Sequence, residues 1–403
     1  MNIFDLCPRP ESDWRVDWQA ADQRYSWIRA LRDCPQNPRY HGEGDVWVHT
    51  RMVCEAMAWD DEWRSLPREL RQDLFAAALL HDAAKPACTK VQKNGRVTSR
   101  GHARRGALHA RRVLWLEGVD SVRRERICAL VRHHMVPLYL RDSENRFRQV
   151  RTISQSIRCD HLAILGRADA EGRICEDPSD LHARHDAYAE ICREQSCFDR
   201  PYGFSSEHGR FLYLRHLSDD PAERVEPAGP EVILTSGLPG ADLRRLIDEH
   251  FPDRPILDID ALRGTMGVSW RDNQGAVIAA ARDRAREWLG RGESFVWFDM
   301  NLSRQLRDHH IGLLAEHDAR VRIVYREVTP TVVGRALARR GMAAEALDLL
   351  LDRWAVPDPD EAHQVHHWPS FGESGEQPVK PPAGPVEAFQ EAGSASIAKS
   401  SSL

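Results

Sequence analysis

Ionisable residues set inside apolar helical patterns constrain this chain more than any other feature. Residues 76–88 read AAALLHDAAKPAC: an apolar run, Phe75 to Leu80, leads into the adjacent pair His81 and Asp82, with Lys85 one helical turn on. Adjacent helix positions point about 100° apart. One cation can bridge that angle, taking an imidazole nitrogen from one side and a carboxylate oxygen from the other. A lone His-Asp pair reads more simply as a buried helix end with a capped histidine. This pair has company: His49 in GDVWVHT, His102 in RGHARRGA, His133 and His134 in ALVRHHMVP, and Asp169 in LAILGRADAEGR. Each lies in or beside an apolar helical pattern, where an unpaired imidazole or carboxylate is costly to bury. A shared metal compensates them all, and imidazole with carboxylate suits Mn, Fe, Co, Ni or Zn. Lys85, at i+4 from His81 and i+3 from Asp82, lies on the same face, where an ammonium can hold a phosphate oxygen.

The order His…HisAsp…Asp with histidines between, and the flanks YHGEGDVWVHT, LLHDAAKP, GHARRGA, LVRHHMVP and RADAEGR, resemble the HD superfamily of metal-dependent phosphohydrolases. The resemblance implies an all-α domain holding one or two divalent ions (Mn, Ni, Co, Fe or Cu). It implies His49, His81, Asp82 and Asp169 as ligands of a first ion, with His102 and His134 completing a second site or meeting the phosphate. His134 is chosen over His133 by the family's spacing to Pro137. Asp82 and Lys85 are the implied catalytic residues; Lys85, Arg104 and Arg105 are the implied phosphate contacts.

At 403 residues the chain is long enough for two cores. No apolar run is long enough to cross a bilayer, and MNIFDLCPRPESDW has no basic-then-apolar leader, so a cytoplasmic location is expected. The nine cysteines are odd in number and lack a CxxC pair, so they read as reduced core residues and not as a zinc site. A net charge of −5 gives no general bias toward nucleic acid, but nine arginines fall between 96 and 126 against Glu117, Asp120 and Glu125. That stretch offers either a basic face for a phosphate backbone or solvated helix.

The pattern predicts residues 1–205 as all-α, including a helix over 13–33 with Trp14, Trp18 and Trp27. Residues 206–230 read as a linker with a short strand in FLYLRHL. From 231 to 368 strands alternate with helices, which predicts a parallel α/β sheet. Residues 369–403, rich in Pro, Gly, Ser and Glu, read as disordered.

SGLPG, between strand and helix, looks like the opening of a phosphate-binding loop of pattern GxxxxGK[ST]. Gly237 fits, and Pro239-Gly240 resembles the variant of polynucleotide kinases. In register, however, the second glycine is Asp242, the lysine is Leu243 and the Ser/Thr is Arg244, and no lysine occurs from 94 to 379. Arg244 or Arg245 can substitute only as a point charge. These departures argue against ATP binding. DIDALR resembles the kinase family's segment with Asp260 as base and Arg263 as acceptor contact. FVWFDMNLSRQLR resembles its turn carrying Asp299, Asn301 and Arg307. Arg335, Arg339 and Arg340 fall at its arginine lid, and WAVPDPDEAH resembles its C-terminal signature.

The whole order resembles end-healing fusions, in which an HD module removes 2′,3′-cyclic, 2′- or 3′-phosphates and a kinase phosphorylates the 5′-hydroxyl. The expectation is a metal-dependent phosphoester hydrolase acting on RNA or DNA ends, with a kinase-like domain kept for docking. Two rivals are an HD nucleotidase or dNTP hydrolase, and a catalytically silent nucleic-acid-binding regulator.

Overall fold

The computed structural model describes residues 2–269, 272–342 and 345–368. The chain divides into two compact units between Tyr202 and Gly203. The first is all-α and the second is built on a parallel sheet, as the sequence pattern predicts. The expectation of disorder over 369–403 concerns residues outside those described. No described helix is long and apolar enough to cross a membrane.

In the first unit, α1 (Val46–Trp59) begins at Asp45, whose carboxylate accepts the Val48 N–H at 2.9 Å. Its buried positions Val46, His49, Val53 and Met57 recur at three and four residues and so form one face. α2 (Arg68–Leu80) is buried all round from Asp73 to Leu80 and is the central helix. It ends at Leu80, and after a turn through His81–Ala84 a short helix, Lys85–Cys88, carries Pro86 in its first turn. α3 (His102–Leu116) and α4 (Ser121–His133, capped by Asp120) follow. α5 (Cys159–Glu171) and α6 (Pro178–Glu194) come next, the latter with proline at its first position and Asp177 as cap. Gly172, just after α5, approaches α1 so closely that a Cβ would lie 2.4 Å from the Val53 nitrogen. This contact brings the end of α5, with Asp169, against His49.

Several expectations need correction. Residues 13–33 are not one helix: Asp13 and Trp14 take left-handed φ, and two short helices, Trp18–Arg24 and Ser26–Arg29, follow. Residues 1–205 are not purely helical either: between α2 and α3, Lys90–Val91 and Val97–Thr98 pair as a short antiparallel hairpin. The basic face over 96–126 is only partly available. Arg111 and Arg124 clasp Glu125, at 2.6 and 2.8 Å, and Arg123 and Arg126 clasp Asp73. Arg96, Arg100, Arg104 and Arg105 remain exposed.

In the second unit, FLYLRHL is not a strand but falls largely in α7 (Glu207–Leu214), capped by Ser206, with Phe211 buried in the second core. The sheet contains β1 (Glu231–Gly237), β2 (Ile256–Asp258), β3 (Phe295–Phe298), β4 (Arg320–Arg326) and β5 (Gln364–Trp368). Their order is β2-β3-β1-β4-β5, with every pairing parallel. The sequence reading lacks β5, because QVHHW is too polar to signal a strand. The central strand is buried from Val232 to Gly237, as in a strand covered on both faces. Helices α8 (Leu243–His250), α9 (Ile259–Thr265), α10 (Gly275–Gly290), α11 (Arg304–Ala315), α12 (Pro330–Arg339) and α13 (Glu345–Leu351) complete this unit. Chain direction reverses at β1, so the crevice beyond its carboxyl end is where ligands of open α/β sheets bind.

Candidate metal centre

Six side chains from five elements of the first unit converge. His49 comes from α1, His81 and Asp82 from the end of α2, His102 from the first position of α3, His134 from the end of α4 and Asp169 from α5. The Nε2 atoms of His49 and His81 lie 3.4 Å apart, and those of His102 and His134 lie 3.1 Å apart. Asp82 sits between the two pairs. Its Oδ2 is 3.2 Å from His81 and 3.7 Å from His49, while its Oδ1 is 3.4 Å from His102 and 3.9 Å from His134. Asp169 Oδ1 is 3.1 Å from His49 Nε2. Two groups of potential ligands result, His49–His81–Asp82 and Asp82–His102–His134, with Asp82 common to both.

The outer ring nitrogens explain the orientation. The Nδ1 atoms of His81, His102 and His134 face the carbonyls of Ala78, Ser99 and Val131, at 2.7, 2.8 and 2.7 Å. A carbonyl can only accept, so each Nδ1 carries a proton and the ring turns its Nε2 inward; His102 and His134, whose charged forms burial disfavours, present lone pairs there. His49 Nδ1 lies 2.9 Å from Glu43 Oε1 and 3.1 Å from the Gly172 carbonyl, with the same consequence. Two lone pairs facing at 3.1 Å repel, and Asp82 Oδ1 is fully buried without a hydrogen-bond partner. A divalent cation in each group resolves both defects, so the residues present fit the metal that the resemblance implies.

Electrostatics follow from burial and proximity. Burial alone would raise Asp82 and Asp169. Lys85 and His81 overcome it for Asp82, and Arg173 and His49 for Asp169, holding both carboxyls well below the usual range. Burial disfavours charge on His134, and the neighbouring His81 and His102 add to this, so it falls to about 3. Burial also lowers His102, against the pull of Asp82. Burial acts the same way on His81, but Asp82 beside it prevails and its value is raised.

Lys85 is buried, donating to Asp82 Oδ2 and to Gln36 Oε1, each at 2.7 Å. It faces the centre, as expected, but its first partner is the bridging carboxylate. His134 is buried in the cluster, whereas His133 is half-buried outside it. Arg104 and Arg105 are exposed on the first turn of α3, and Arg105 donates to the Ala87 carbonyl at 3.1 Å. Sequence reasoning left Gln36, His41, Glu43 and Arg173 without roles. Glu43 accepts from His41 at 2.8 Å, from His49 and from the Ile174 N–H; Arg173 holds Asp169 at 2.6 Å. The only sequence signal for His41, Glu43 and Arg173 was their position inside YHGEGDVWVHT and RADAEGR; Gln36 lies outside both.

The second unit treats its singled-out residues differently. Leu238-Pro239-Gly240-Ala241 closes as a tight turn, with the Ala241 N–H donating to the Leu238 carbonyl at 3.1 Å. Proline at the second position and glycine at φ +92° in the third are the signature of a type II turn. Gly240 packs on α12, where a Cβ would meet Val332 at 3.0 Å. The Gly237 N–H donates to the Met300 carbonyl, and Leu238, Ala241 and Leu243 are buried. The position a lysine would need is thus an apolar core position. Arg244 pairs with Asp248 and Arg245 with Glu249.

Asp260 and Arg263 pair with each other, and both act electrostatically on nearby Asp299, which burial raises to about 6. Asn301, at φ +41°, donates to the Thr235 carbonyl at 2.9 Å. Arg307 is fully buried against Glu361, at 2.7 Å, and the carbonyls of Asn301, Leu302 and Ala355. It clasps the segment Ala355–Glu361 to α11. Arg335, Arg339 and Arg340 are exposed at the end of α12.

Residues 46–170 match the family model of the HD domain. No curated protein matches this chain. Among solved structures, a protein from Chloroflexus aurantiacus described as a kinase is 14% identical, with a TM-score of 0.31, covering 42% of this chain and 97% of its own. The HD-domain fold over these residues, with its clustered histidines and aspartates, is that of a metal-dependent phosphohydrolase.

Proposed function

We propose that the first unit removes 2′,3′-cyclic, 2′- or 3′-phosphate from RNA ends, and that the second unit is a docking platform without kinase activity. The observation that carries the hydrolase half is Asp82 shared between two inward-facing histidine pairs, one oxygen toward each. His49, His81, Asp82 and Asp169 would hold a first divalent ion, and Asp82, His102 and His134 a second. Such ions supply a nucleophilic water near neutral pH and draw charge from the phosphoryl oxygens.

The chain's own residues do the rest. Asp82 stays ionised through Lys85 and His81 and orients the attacking water by accepting its hydrogen bond. Lys85, anchored by Gln36, offsets charge developing on the non-bridging oxygens. Glu43 and Arg173 fix His49 and Asp169 from behind. The exposed Arg96, Arg100, Arg104 and Arg105, on or next to the segment carrying His102, supply positive charge for a polynucleotide backbone. For the second unit, the closed turn at Leu238–Ala241 and buried Leu243 support loss of the phosphate grip, while the Asp260–Arg263 pair beside Asp299 supports retention of a nucleic-acid end.

The test compares three substrates with added Mn, Ni, Co or Cu: a 2′,3′-cyclic mononucleotide, a dNTP and an RNA bearing a 3′-phosphate. Turnover of the cyclic and 3′-phosphate substrates, with no ATP-dependent 5′ labelling, is expected. Hydrolysis confined to the dNTP would move the reading to free nucleotides.

A further inference from the structure

Three cysteines gather at the opposite end of the helix that carries Asp169. Cys159 opens α5, ten residues and about 15 Å of helix from Asp169. Cys192 lies in the last turn of α6 and Cys197 just beyond it. Their sulfurs lie within 4.8 Å of one another, and all three residues have no solvent exposure. Among the described residues, no other thiols form such a group.

The backbone explains how they meet. α6 ends with the Cys197 N–H donating to the Cys192 carbonyl and the Ser196 N–H to the Arg193 carbonyl, both at 2.9 Å, with Ser196 at φ +53°. That is the Schellman ending, in which glycine usually occupies the left-handed position and an apolar pair lies side by side. Here a serine accepts the strained position, and the side-by-side pair is Cys192 and Cys197. The Asp160 N–H donates to the Phe198 carbonyl at 2.8 Å, tying the start of α5 to the residue after Cys197 and bringing Cys159 into the group.

We propose that Cys159, Cys192 and Cys197 hold a thiophilic closed-shell metal ion, zinc or cuprous, as a structural site separate from the histidine–aspartate centre. Thiolates select such ions, and no imidazole or carboxylate belongs to this group. Sulfurs bound at about 2.3 Å to one ion lie roughly 4 Å apart, within the spacing found. Binding transfers three thiol protons to solvent and leaves three thiolates around the ion. The amino end of α5 and the nearby Arg151 favour that negative charge.

The experiment measures zinc and copper in the full chain carrying His81→Ala and Asp82→Ala, which removes the other centre, with and without Cys192→Ser. About one equivalent per chain in the first and none in the second is the expected result. Equal content in both, or none in either, would overturn the site. A second measurement needs no substitution: an organomercurial titrates the thiols of the unaltered protein beside a chromophoric metal indicator. Release of one equivalent as the buried thiols react supports the site. Full thiol modification without release, or a Cys192–Cys197 disulfide in the purified protein, sinks it. Either outcome leaves the phosphohydrolase reading untouched.

Discussion

The two units bury charge to opposite ends. In the first, the Nε2 atoms of two histidine pairs face one another, and Asp82 Oδ1 has no hydrogen-bond partner. In the second, Arg307 is just as buried, yet its guanidinium is matched by Glu361 and three carbonyls. Buried polar groups left incomplete are unstable unless something else completes them. The first cluster is therefore built for a cation from outside. The second is finished by its own chain and holds the segment Ala355–Glu361 against α11. A position singled out by a motif can thus serve architecture.

The comparison breaks most readily at Asp82. Asp82→Ala should lower phosphoester hydrolysis by at least roughly 10³-fold and reduce bound divalent metal, with the far-ultraviolet circular dichroism unchanged. Wild-type turnover in that variant would remove the active site from this cluster. Arg307→Ala should act in the opposite way. Leaving Glu361 buried without its partner costs about 3–5 kcal/mol, read as an early unfolding transition of the second unit, while hydrolysis of a small cyclic substrate holds.

Asp299 offers a pH test of the second unit. Burial first, then Asp260, raises its folded value to about 6, above the unfolded range. As pH rises from about 4 to 6 the unfolded chain loses this proton before the folded one. Stability therefore falls across that window by roughly 3 kcal/mol, and the deficit persists above it. Asp299→Asn should abolish the fall, seen in urea unfolding at the two pH values; an unchanged pH dependence would place the effect elsewhere. The smallest effect belongs to Glu43, which touches His49 from outside the ligand set. Glu43→Gln should weaken metal binding by about 10–100-fold by calorimetry. No change would mean the Gly172 carbonyl alone orients the ring.

Much of the catalytic half was legible in order and spacing. Apolar periodicity located the helices, and His49, His81, Asp82, His102, His134 and Asp169 stood out because each interrupts such a pattern. The tryptophan segment was misjudged because residues 13–33 are helix-compatible one by one, yet Asp13 and Trp14 turn left-handed and split the run. FLYLRHL opens on a short apolar, aromatic run that reads as a strand, but Ser206 accepts the Gly209 N–H at 2.9 Å and starts a helix. The arginine face looked continuous because sequence does not reveal that Glu125 and Asp73 each receive two guanidinium groups.

By itself the sequence determined which residue types stand at helix-buried positions, and that a shared cation would compensate them. It also determined that Leu243 cannot neutralise phosphate. Only the tertiary structure decided that Asp82 stands between two histidine pairs, that the Leu238–Ala241 turn closes, and that Arg307 is consumed internally. Spacing along the chain fixes which face of a helix a residue shares, a local property of 3.6 residues per turn. Which faces meet depends on how distant helices and strands pack, and close approaches such as Gly172 on Val53 settle that.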